Sequence, residues 1–200
     1  MIKSSVPLIL ASQSPRRAAL LSQIGLVFTV QPSNIEETIH PDLSFERNVQ
    51  TLALHKAENI VRKTSTGVIL GSDTIVVINN QVLGKPSSAE EAISMLHQLS
   101  GNTHTVYTGF AFVDAGTKKS YIDYERTEVT FRILTNREIE EYVTSGSPMD
   151  KAGAYGIQDD FGAVFVERIS GDYYTVVGLP LSKVYRTLTT FLNECGYLEG

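Results

Sequence analysis

The sequence predicts an α/β fold built on a mixed, twisted sheet with flanking helices. Strand patterns alternate with helix patterns along the 200 residues, an order typical of this class. Some neighbouring strand patterns are joined by a short turn and others by a whole helix, so we expect both antiparallel and parallel pairs. A chain of this length can bury one sizeable core. We therefore expect a single domain over residues 1–200, arranged in two lobes.

Apolar periodicity and capping residues place the individual elements. In the first half we expect a strand over 8–11, a helix from Pro15 to about Gly25, a short strand near 28–30, a helix over about 43–62 and a strand over 68–78 that turns back at Asn79–Asn80. In the second half we expect a helix over about 89–99, strands over 105–113 and 121–133, a helix over about 135–145, strands near 163–169 and 174–177, and a C-terminal helix. Capping boxes at Ser88…Glu91 and Thr135…Glu138 predict two of the helix starts.

Composition argues against several classes of protein. Hydrophobic residues make up 42% and charged residues 20% of the chain, which is typical of a folded globular protein rather than a disordered one. The net charge of -5 argues against a general nucleic-acid binder, which needs a surplus of Lys and Arg on one face. The single cysteine, Cys195, excludes an internal disulfide and fits a reducing compartment. Without a bilayer-length apolar run or a cleavage pattern, we expect a cytoplasmic protein.

The turn from the first strand into the first helix carries an electrostatic conflict. Ser14 is a good N-cap, and Pro15 suits the first helical position. Arg16 and Arg17 then occupy the first turn, where backbone N–H groups and the helix dipole already make the potential positive. A bound phosphate would resolve this conflict, and two adjacent arginines on a Ser-rich turn favour that interpretation. Alternatively, each arginine pairs with a carboxylate of the same fold.

Two charged residues break the apolar pattern of the elements that contain them. Lys56 lies on the apolar face of the second helix, so its ammonium group either snorkels to solvent or meets a negative group. Asp73 interrupts the apolar strand over 68–78, where a carboxylate needs a cation, hydrogen-bond donors or a metal. Either a bulge near Gly71 turns Asp73 to solvent, or local N–H groups satisfy it, or it has the functional role that we favour.

Three further charged residues are candidates for the surroundings of Asp73. Lys85 follows the hairpin return of the same strand and either approaches the face of Asp73 or lies in a solvated loop. Glu36 and Glu37 follow the second strand and are either plain surface charge or part of a site. If one of them meets Asp73, the pair forms an open carboxylate site suited to Mg²⁺ or Mn²⁺.

The remaining polar features are less specific. The glycine-rich run over 150–158 is either a tight turn or a wall that a ligand approaches closely. Asp159 and Asp160 could support a metal, although a solvated loop explains them more simply. The chain lacks the P-loop, nucleophile-elbow and H-E-x-x-H motifs. The histidines lack metal-ligand spacing, and we expect surface or satisfied side chains at His40, His55, His97 and His104.

Six motifs follow one another along almost the whole chain. They are Ser12-x-Ser14-Pro15-Arg16-Arg17, Gly71-Ser72-Asp73-Thr74, Gly84-Lys85-Pro86, Leu99-Ser100-Gly101-x-x-His104 with Thr108-Gly109, the run from Asp150 to Gln158, and Val177-Gly178-Leu179-Pro180. Each motif alone is weak, but the ordered set is highly specific. Together the motifs resemble the Maf family of nucleoside triphosphate pyrophosphatases.

The resemblance implies a fold like that of the inosine triphosphate pyrophosphatases, with an active cleft between two lobes and residues 1–200 forming one such domain. It implies hydrolysis of a nucleoside triphosphate to the monophosphate and pyrophosphate, with Mg²⁺ or Mn²⁺ as the cofactor. Family members are commonly dimers, so a homodimer is compatible with the resemblance. We expect neither nucleic acid nor a membrane as a partner.

Catalytic roles follow where this sequence matches the family. Asp73 matches the proton acceptor, and Glu37 matches a carboxylate of the metal and catalytic site. Lys56 and Lys85 match the conserved lysines near the phosphates. Asp73 either takes a proton from water or holds the metal that activates it, and the sequence leaves both roles open.

Substrate recognition follows in the same way. Arg17 matches the second arginine of the signature, which we assign with Ser12 to substrate binding at the phosphates. The branch of the family that acts on dTTP and UTP resembles this chain at Arg16, Thr74 and Gln158. The branch that prefers 7-methyl-GTP has Trp, Gln and Glu at these positions. We therefore expect a dTTP/UTP pyrophosphatase that cleans nucleotide pools, with modified pyrimidine nucleotides as further candidate substrates.

Two other functions stay open at this point. A nucleotide-sensing regulator linked to cell-division arrest would bind a triphosphate in order to control a partner. A house-cleaning enzyme for non-standard purines would rank the substrates in the opposite order. The retained carboxylates favour an enzyme, because a sensor needs cations more than it needs a base.

Overall fold

A computed structural model describes residues 2–158 and 161–199. The strands in this part of the chain are β1 (Leu8–Leu10), β2 (Thr29–Val30), β3 (Val68–Ile78), β4 (Gln81–Leu83), β5 (Thr103–Asp114), β6 (Ser120–Phe131) and β7 (Val166–Ser170). The α-helices are α1 (Pro15–Gln23), α2 (Phe45–Val61), α3 (Ala89–Leu99), α4 (Asn136–Thr144), α5 (Tyr173–Val177) and α6 (Leu181–Glu194). Short 3-10 helices lie at Ser147–Asp150, Ala152–Ala154 and Phe161–Phe165.

The seven strands form one mixed sheet, which confirms the predicted α/β class. The strand order is β2-β1-β3-β5-β6-β7, and β4 pairs with β3. Strand β1 runs parallel to β2 and to β3, with Leu8 opposite Val68. The β3–β4 and β6–β7 pairs are antiparallel. Asn79 and Asn80 have φ values of 50° and 63°, so both adopt the left-handed conformation that a tight hairpin turn requires.

Side-chain caps explain where the predicted helices begin. The hydroxyl groups of Ser14, Ser88 and Thr135 accept the backbone N–H three residues ahead, as predicted for α1, α3 and α4. The capping box at Thr135 is complete. At α3 only half of the predicted box forms, because the Glu91 carboxylate accepts hydrogen bonds from Ser87 instead of from the Ser88 backbone.

The predicted strand over 174–177 is wrong, because this segment belongs to helix α5. The Asp172 carboxylate accepts hydrogen bonds from both the backbone N–H and the hydroxyl of Thr175, which caps the first turn. The β-branched residues in the segment favoured a strand, but this local cap favours a helix. The strand predicted near 163–169 is observed as β7, which starts at Val166.

The described chain divides into two compact units, in agreement with the expectation of two lobes. The first unit contains Met1–Asp73, Thr108–Glu125 and Gly178–Gly200, and the second contains Thr74–Tyr107 and Arg126–Val177. That residues 1–200 form one domain, with a cleft between lobes, stays a prediction. No helix in the described part of the chain has the length and apolar character needed to cross a bilayer.

Each unit has its own hydrophobic core. In the first unit α2 packs on the sheet through a fully apolar cluster that includes Ile60 and Ile69, and Phe191 of α6 stacks on Phe112 of β5. In the second unit aromatic rings meet edge to face or tilted, with centroids 4.8 to 6.0 Å apart. These rings belong to His104, Phe131, Tyr142, Tyr155 and Phe165.

Two glycines bring helix α2 unusually close to the sheet. A Cβ atom at Gly71 of β3 would lie 2.0 Å from the carbonyl oxygen of Ala53, and one at Gly109 of β5 would lie 2.4 Å from that of Val49. Both contacts are with helix backbone, which cannot move aside by changing a rotamer. Glycine is therefore the residue that this packing requires at both positions.

Replacement of Gly71 by alanine tests this packing. We expect Gly71→Ala to lower the free energy of unfolding by about 3 kcal/mol or more, because overpacking against backbone has no cheap relaxation. Gly84→Ala is the matched control, since a Cβ there meets nothing within 4 Å. Urea denaturation measures both. A Gly71→Ala protein as stable as Gly84→Ala would show that α2 does not lie this close to β3.

Candidate active site

Lys56 joins two carboxylates that are far apart in the sequence. Its Nζ lies 2.5 Å from Oδ1 of Asp73 and 2.6 Å from Oε1 of Glu37, and its side chain is only 5% exposed. Lys56 is on α2, Asp73 is on β3, and Glu37 is in the loop between β2 and α2. All three belong to the first unit. Of the two outcomes that the sequence allows for Lys56, the structure therefore has the ammonium group meeting negative charge.

The close packing of α2 on β3 explains why Lys56 meets Asp73. Asp73 is two residues after Gly71, so both point to the same face of the strand, towards α2. Lys56 is three residues after Ala53, so it lies on the helix face that touches Gly71. The contact at Gly71 thus places a lysine of the helix directly over an aspartate of the strand.

Asp73 is buried, with 4% of its surface exposed, so no bulge turns it to solvent. Burial raises the pKa of its carboxyl group above the ordinary value for aspartate. The positive charges of Lys56 and Arg17 act in the opposite direction, and the negative charge of Glu37 adds to the increase. A carboxylate in such surroundings is a stronger base than an exposed one, provided that it is ionised.

Ser12 and Arg17 form a second group of predicted site residues in the same unit. The Arg17 guanidinium donates one hydrogen bond to Ser12 Oγ at 3.1 Å and another to the Gly178 carbonyl at 2.9 Å. Burial lowers the pKa of Arg17, while the charges of Asp73 and Glu37 raise it. Arg17 therefore lies within the electrostatic field of the two carboxylates. Its neighbour Arg16, half-buried in the first turn of α1, lowers the pKa of Arg17 further.

Ser72 is a residue to which the sequence analysis assigned no role of its own. Its buried hydroxyl lies 2.9 Å from the Gly109 carbonyl and 3.2 Å from the Gly178 carbonyl, and it can donate to either. The Gly178 carbonyl that binds Arg17 is thus also linked to strand β3 beside Asp73. A serine in an otherwise apolar strand was the available signal, because a buried hydroxyl needs a partner.

Thr74, Lys85 and Gln158 belong to the second unit. Thr74 is half-buried on β3, Lys85 is exposed after β4, and Gln158 is half-buried at the end of the glycine-rich run. This run is a turning segment rather than a strand, and its Gly153 N–H donates to the Gly84 carbonyl at 3.0 Å, next to Lys85. That these three side chains act together with Asp73 stays a prediction.

His104 is neither a surface histidine nor a fully satisfied one, which corrects the sequence-based expectation. It is 2% exposed, and its Nε2 lies 2.8 Å from the Tyr155 hydroxyl. Its Nδ1 has no hydrogen-bond partner among the described residues. Burial lowers the pKa of His104 to about 4. The ring is therefore neutral at physiological pH and joins β5 to the glycine-rich run.

Two carboxylates of the first unit are suited to a divalent cation. The oxygens of Glu37 and Asp73 hold the same positively charged nitrogen, so they can converge on one cation. Carboxylate oxygens are the ligands that Mg²⁺ and Mn²⁺ prefer, and Mg²⁺ is commonly held by one or two carboxylates together with substrate phosphates. A cluster of three or more potential metal ligands is not found among the described residues. Asp159 and Asp160, considered above for a metal, lie outside them.

Removal of Lys56 tests the buried ion pair. We expect Lys56→Met to lower the free energy of unfolding at pH 8 by about 3–5 kcal/mol, because Asp73 would lose the cation that offsets its burial. Adding Asp73→Asn should restore part of this loss, since an amide carries no charge to compensate. Denaturant unfolding of both proteins measures the difference. If the double variant is less stable than Lys56→Met, the Lys56 ammonium group does not offset the burial of the Asp73 carboxylate.

His104 gives a pH-dependent prediction. The unfolded chain binds a proton on this ring near pH 6.5 but the folded chain only near pH 4, so acid favours unfolding in this range. We expect protonation of His104 in the unfolded chain to lower the free energy of unfolding by about 2 kcal/mol when the pH falls from 7 to 4.5. His104→Gln should lose that much less stability on acidification, as measured by urea unfolding at the two pH values. Equal losses in both proteins would contradict the buried neutral ring.

Comparison with known proteins shows which family the chain is related to. The profile of the Maf-like protein family matches residues 7–191. A dTTP/UTP pyrophosphatase of Bacillus pumilus (strain SAFR-032) is 50% identical over 184 residues, which are 92% of this chain and 96% of the relative. A dTTP/UTP pyrophosphatase of Salinibacter ruber (strain DSM 13855 / M31) is 45% identical over 188 residues, which are 94% of this chain and 92% of the relative.

The likeness to solved structures is weaker. A nucleoside-triphosphatase / dITP/XTP pyrophosphatase from Mycobacterium abscessus is 18% identical, with a TM-score of 0.43 over 64% of this chain and 75% of that chain. A likeness at this level carries no argument about function. Membership of the family rests on two stronger matches, to the family profile and to the Bacillus pumilus relative at 50% identity. They show that this chain belongs to the Maf family.

Proposed function

We propose that this chain is a nucleoside triphosphate pyrophosphatase that hydrolyses dTTP and UTP to the monophosphate and pyrophosphate, and so removes nucleotides from the pool. The observation that carries the proposal is the contact of the buried Lys56 ammonium group with the carboxylates of Asp73 and Glu37. Three relatives between 44% and 50% identical to this chain over 92% of its length are named dTTP/UTP pyrophosphatases, which supports the same substrates here.

Asp73 is the proposed proton acceptor. Burial raises its pKa, Lys56 binds its Oδ1, and the oxygen proposed to accept a proton from water is the other one, Oδ2. The lysine contact also fixes the orientation of the carboxylate. This preorganisation lowers the cost of aligning the base with an attacking water molecule.

Four residues are proposed to bind the triphosphate, namely Ser12, Arg17, Lys56 and Lys85. Arg17 lies at the N-terminal turn of α1, where backbone N–H groups add to its positive charge, and it is already oriented by Ser12. Lys56 and Lys85 are proposed to offset the charge that develops on the leaving pyrophosphate. Because a guanidinium group can bind phosphate oxygens in a bidentate manner, Arg17 is suited to fixing the phosphate chain.

Glu37 and Asp73 are the residues that would hold a divalent cation, Mg²⁺ or Mn²⁺. Their oxygens already share one cationic group, which supports this assignment. The chemistry that such an ion supplies when bound is neutralisation of the triphosphate charge and polarisation of the α-phosphorus. Asp73 acts as the base if its Oδ2 accepts the proton of the attacking water, and as a metal ligand if it does not.

Arg16, Thr74 and Gln158 are proposed to select the pyrimidine base. The support is the resemblance of these positions to the dTTP/UTP branch and the names of the most similar relatives. We also propose a cytoplasmic location, on the single cysteine of the chain, and a homodimer, on the resemblance to the family. Neither nucleic acid nor a membrane is a proposed partner.

A nucleotide panel tests the proposed activity. With Mg²⁺ or Mn²⁺ we expect pyrophosphate release from dTTP and UTP to exceed release from dITP and XTP. Asp73→Asn should lose about 10²- to 10⁴-fold in kcat, which is the usual contribution of a general base. Its circular dichroism spectrum should be unchanged, and Asp42→Asn, an exposed loop aspartate, should retain activity.

Three outcomes would contradict the proposal in different ways. If dTTP and UTP stay intact but raise the Tm, the protein is a nucleotide sensor. If dITP and XTP react faster, it is a house-cleaning enzyme for non-standard purines. If Asp73→Asn releases pyrophosphate at the wild-type rate, Asp73 is not the base.

A further inference from the structure

The loop that carries Glu37 has no helix or strand of its own. It covers residues 31–44 between β2 and α2, and the Glu37 side chain is 45% exposed. Holding a loop residue in one place costs conformational entropy, about 1–2 kcal/mol for each ordered residue. A carboxylate that acts on a reaction must nevertheless be held precisely. Some part of the fold must therefore fix this loop.

Asn48 is a buried polar residue that makes four hydrogen-bond contacts with the loop. It lies in the second turn of α2 and is 2% exposed. Its Oδ1 accepts the backbone N–H of His40 at 2.8 Å. Its Nδ2 is within donor distance of three carbonyl oxygens, at 3.0 to 3.1 Å, which belong to His40, Leu43 and Ser44. Both sides of the amide are therefore used, and His40 is held at its N–H and at its carbonyl.

Lys56 and Asn48 hold the same loop from the same helix. They are eight residues apart on α2, which corresponds to about 12 Å along the helix axis. The loop residues that they bind, Glu37 and His40, are three residues apart, at most about 11 Å in an extended chain. The short segment between them is thus fixed at both ends, and Glu37 has little freedom to leave Lys56 and Asp73.

A role limited to starting helix α2 does not explain these bonds. Ser44 already caps the helix, because its hydroxyl accepts the N–H of Arg47. Two of the four contacts of Asn48 are made with His40, four residues before the cap. Asparagine is also a poorer helix former than alanine, so its value at this position lies in the loop that it binds.

We propose that Asn48 is a positioning residue that sets the place of Glu37, and through Glu37 the affinity for the divalent cation. The inference rests on the proposed role of Glu37 in holding that cation. Asparagine suits the task because it presents one acceptor and two donors on the same plane. Alanine offers neither, and aspartate keeps the acceptor for His40 but turns a negative oxygen towards the three carbonyl groups.

Metal binding without turnover is the measurement that tests the proposal. The dissociation constant of Mn²⁺ is determined by electron paramagnetic resonance in the presence of a non-hydrolysable dTTP analogue. The proteins compared are wild type, Asn48→Ala, Glu37→Gln and the double variant. Asn59→Ala is the matched control, because Asn59 is on the same helix but its amide oxygen binds only the side chain of Lys63 in an exposed contact.

We expect Asn48→Ala to raise the Mn²⁺ dissociation constant about tenfold, as loss of a group that orients a metal ligand usually does. Asn59→Ala should leave the constant unchanged. The double variant should lie within about twofold of Glu37→Gln, because Asn48 has no effect once Glu37 cannot act. Hydrogen exchange at the His40 amide should become faster in Asn48→Ala but not in Glu37→Gln.

Two results overturn the proposal and can be told apart. If Glu37→Gln weakens Mn²⁺ binding but Asn48→Ala does not, or if their effects multiply, Asn48 has only a structural role. If Glu37→Gln binds Mn²⁺ as wild type does, the proposed role of Glu37 fails as well. Should Asn48→Ala not fold, Asn48→Asp takes its place, with the same expected weakening and the same contradicting results.

Discussion

The contact of the Lys56 ammonium group with two carboxylates is the interaction on which the candidate site depends. Asp73 lies in an apolar strand, where an ionised carboxylate is too costly to bury unless a positive charge accompanies it. Lys56 provides that charge at 2.5 Å and holds Glu37 from the loop at the same time. Burial raises the pKa of Asp73 and the nearby cations act in the opposite direction, while the Lys56 contact orients the carboxylate that we propose as the proton acceptor.

Helix α2 makes this contact geometrically available. The missing side chains of Gly71 and Gly109 let its backbone lie against the sheet, and Lys56 then faces Asp73. Earlier on the same helix, Asn48 binds the loop that brings in Glu37. One helix therefore sets the position of a strand residue and of a loop residue. The close approach of α2 to the sheet therefore explains both the packing of the core and the contacts of the candidate site.

The parts of the fold that local physics determines could be predicted from the sequence. The bounds of β3, the turn at Asn79–Asn80 and the helix caps follow from apolar patterns and from groups a few residues apart. Helix α5 could not be predicted, because a single aspartate cap outweighs a strand-like composition.

In the site, local patterns in the sequence indicated that Lys56 and Asp73 need opposite charge, but only the resemblance to the family grouped them with Glu37. The meeting of Glu37 with Lys56 depends on how a loop without regular structure folds back on a helix. Such long-range contacts leave no periodic signal in the sequence.

Nuclear magnetic resonance of the lysine ¹⁵Nζ groups tests the central contact most directly. The Lys56 signal is assigned by its loss in Lys56→Met. We predict an ammonium resonance that exchanges slowly with water and shifts in both Asp73→Asn and Glu37→Gln. A Lys56 resonance that exchanges as fast as those of exposed lysines, and that neither substitution moves, would contradict the account.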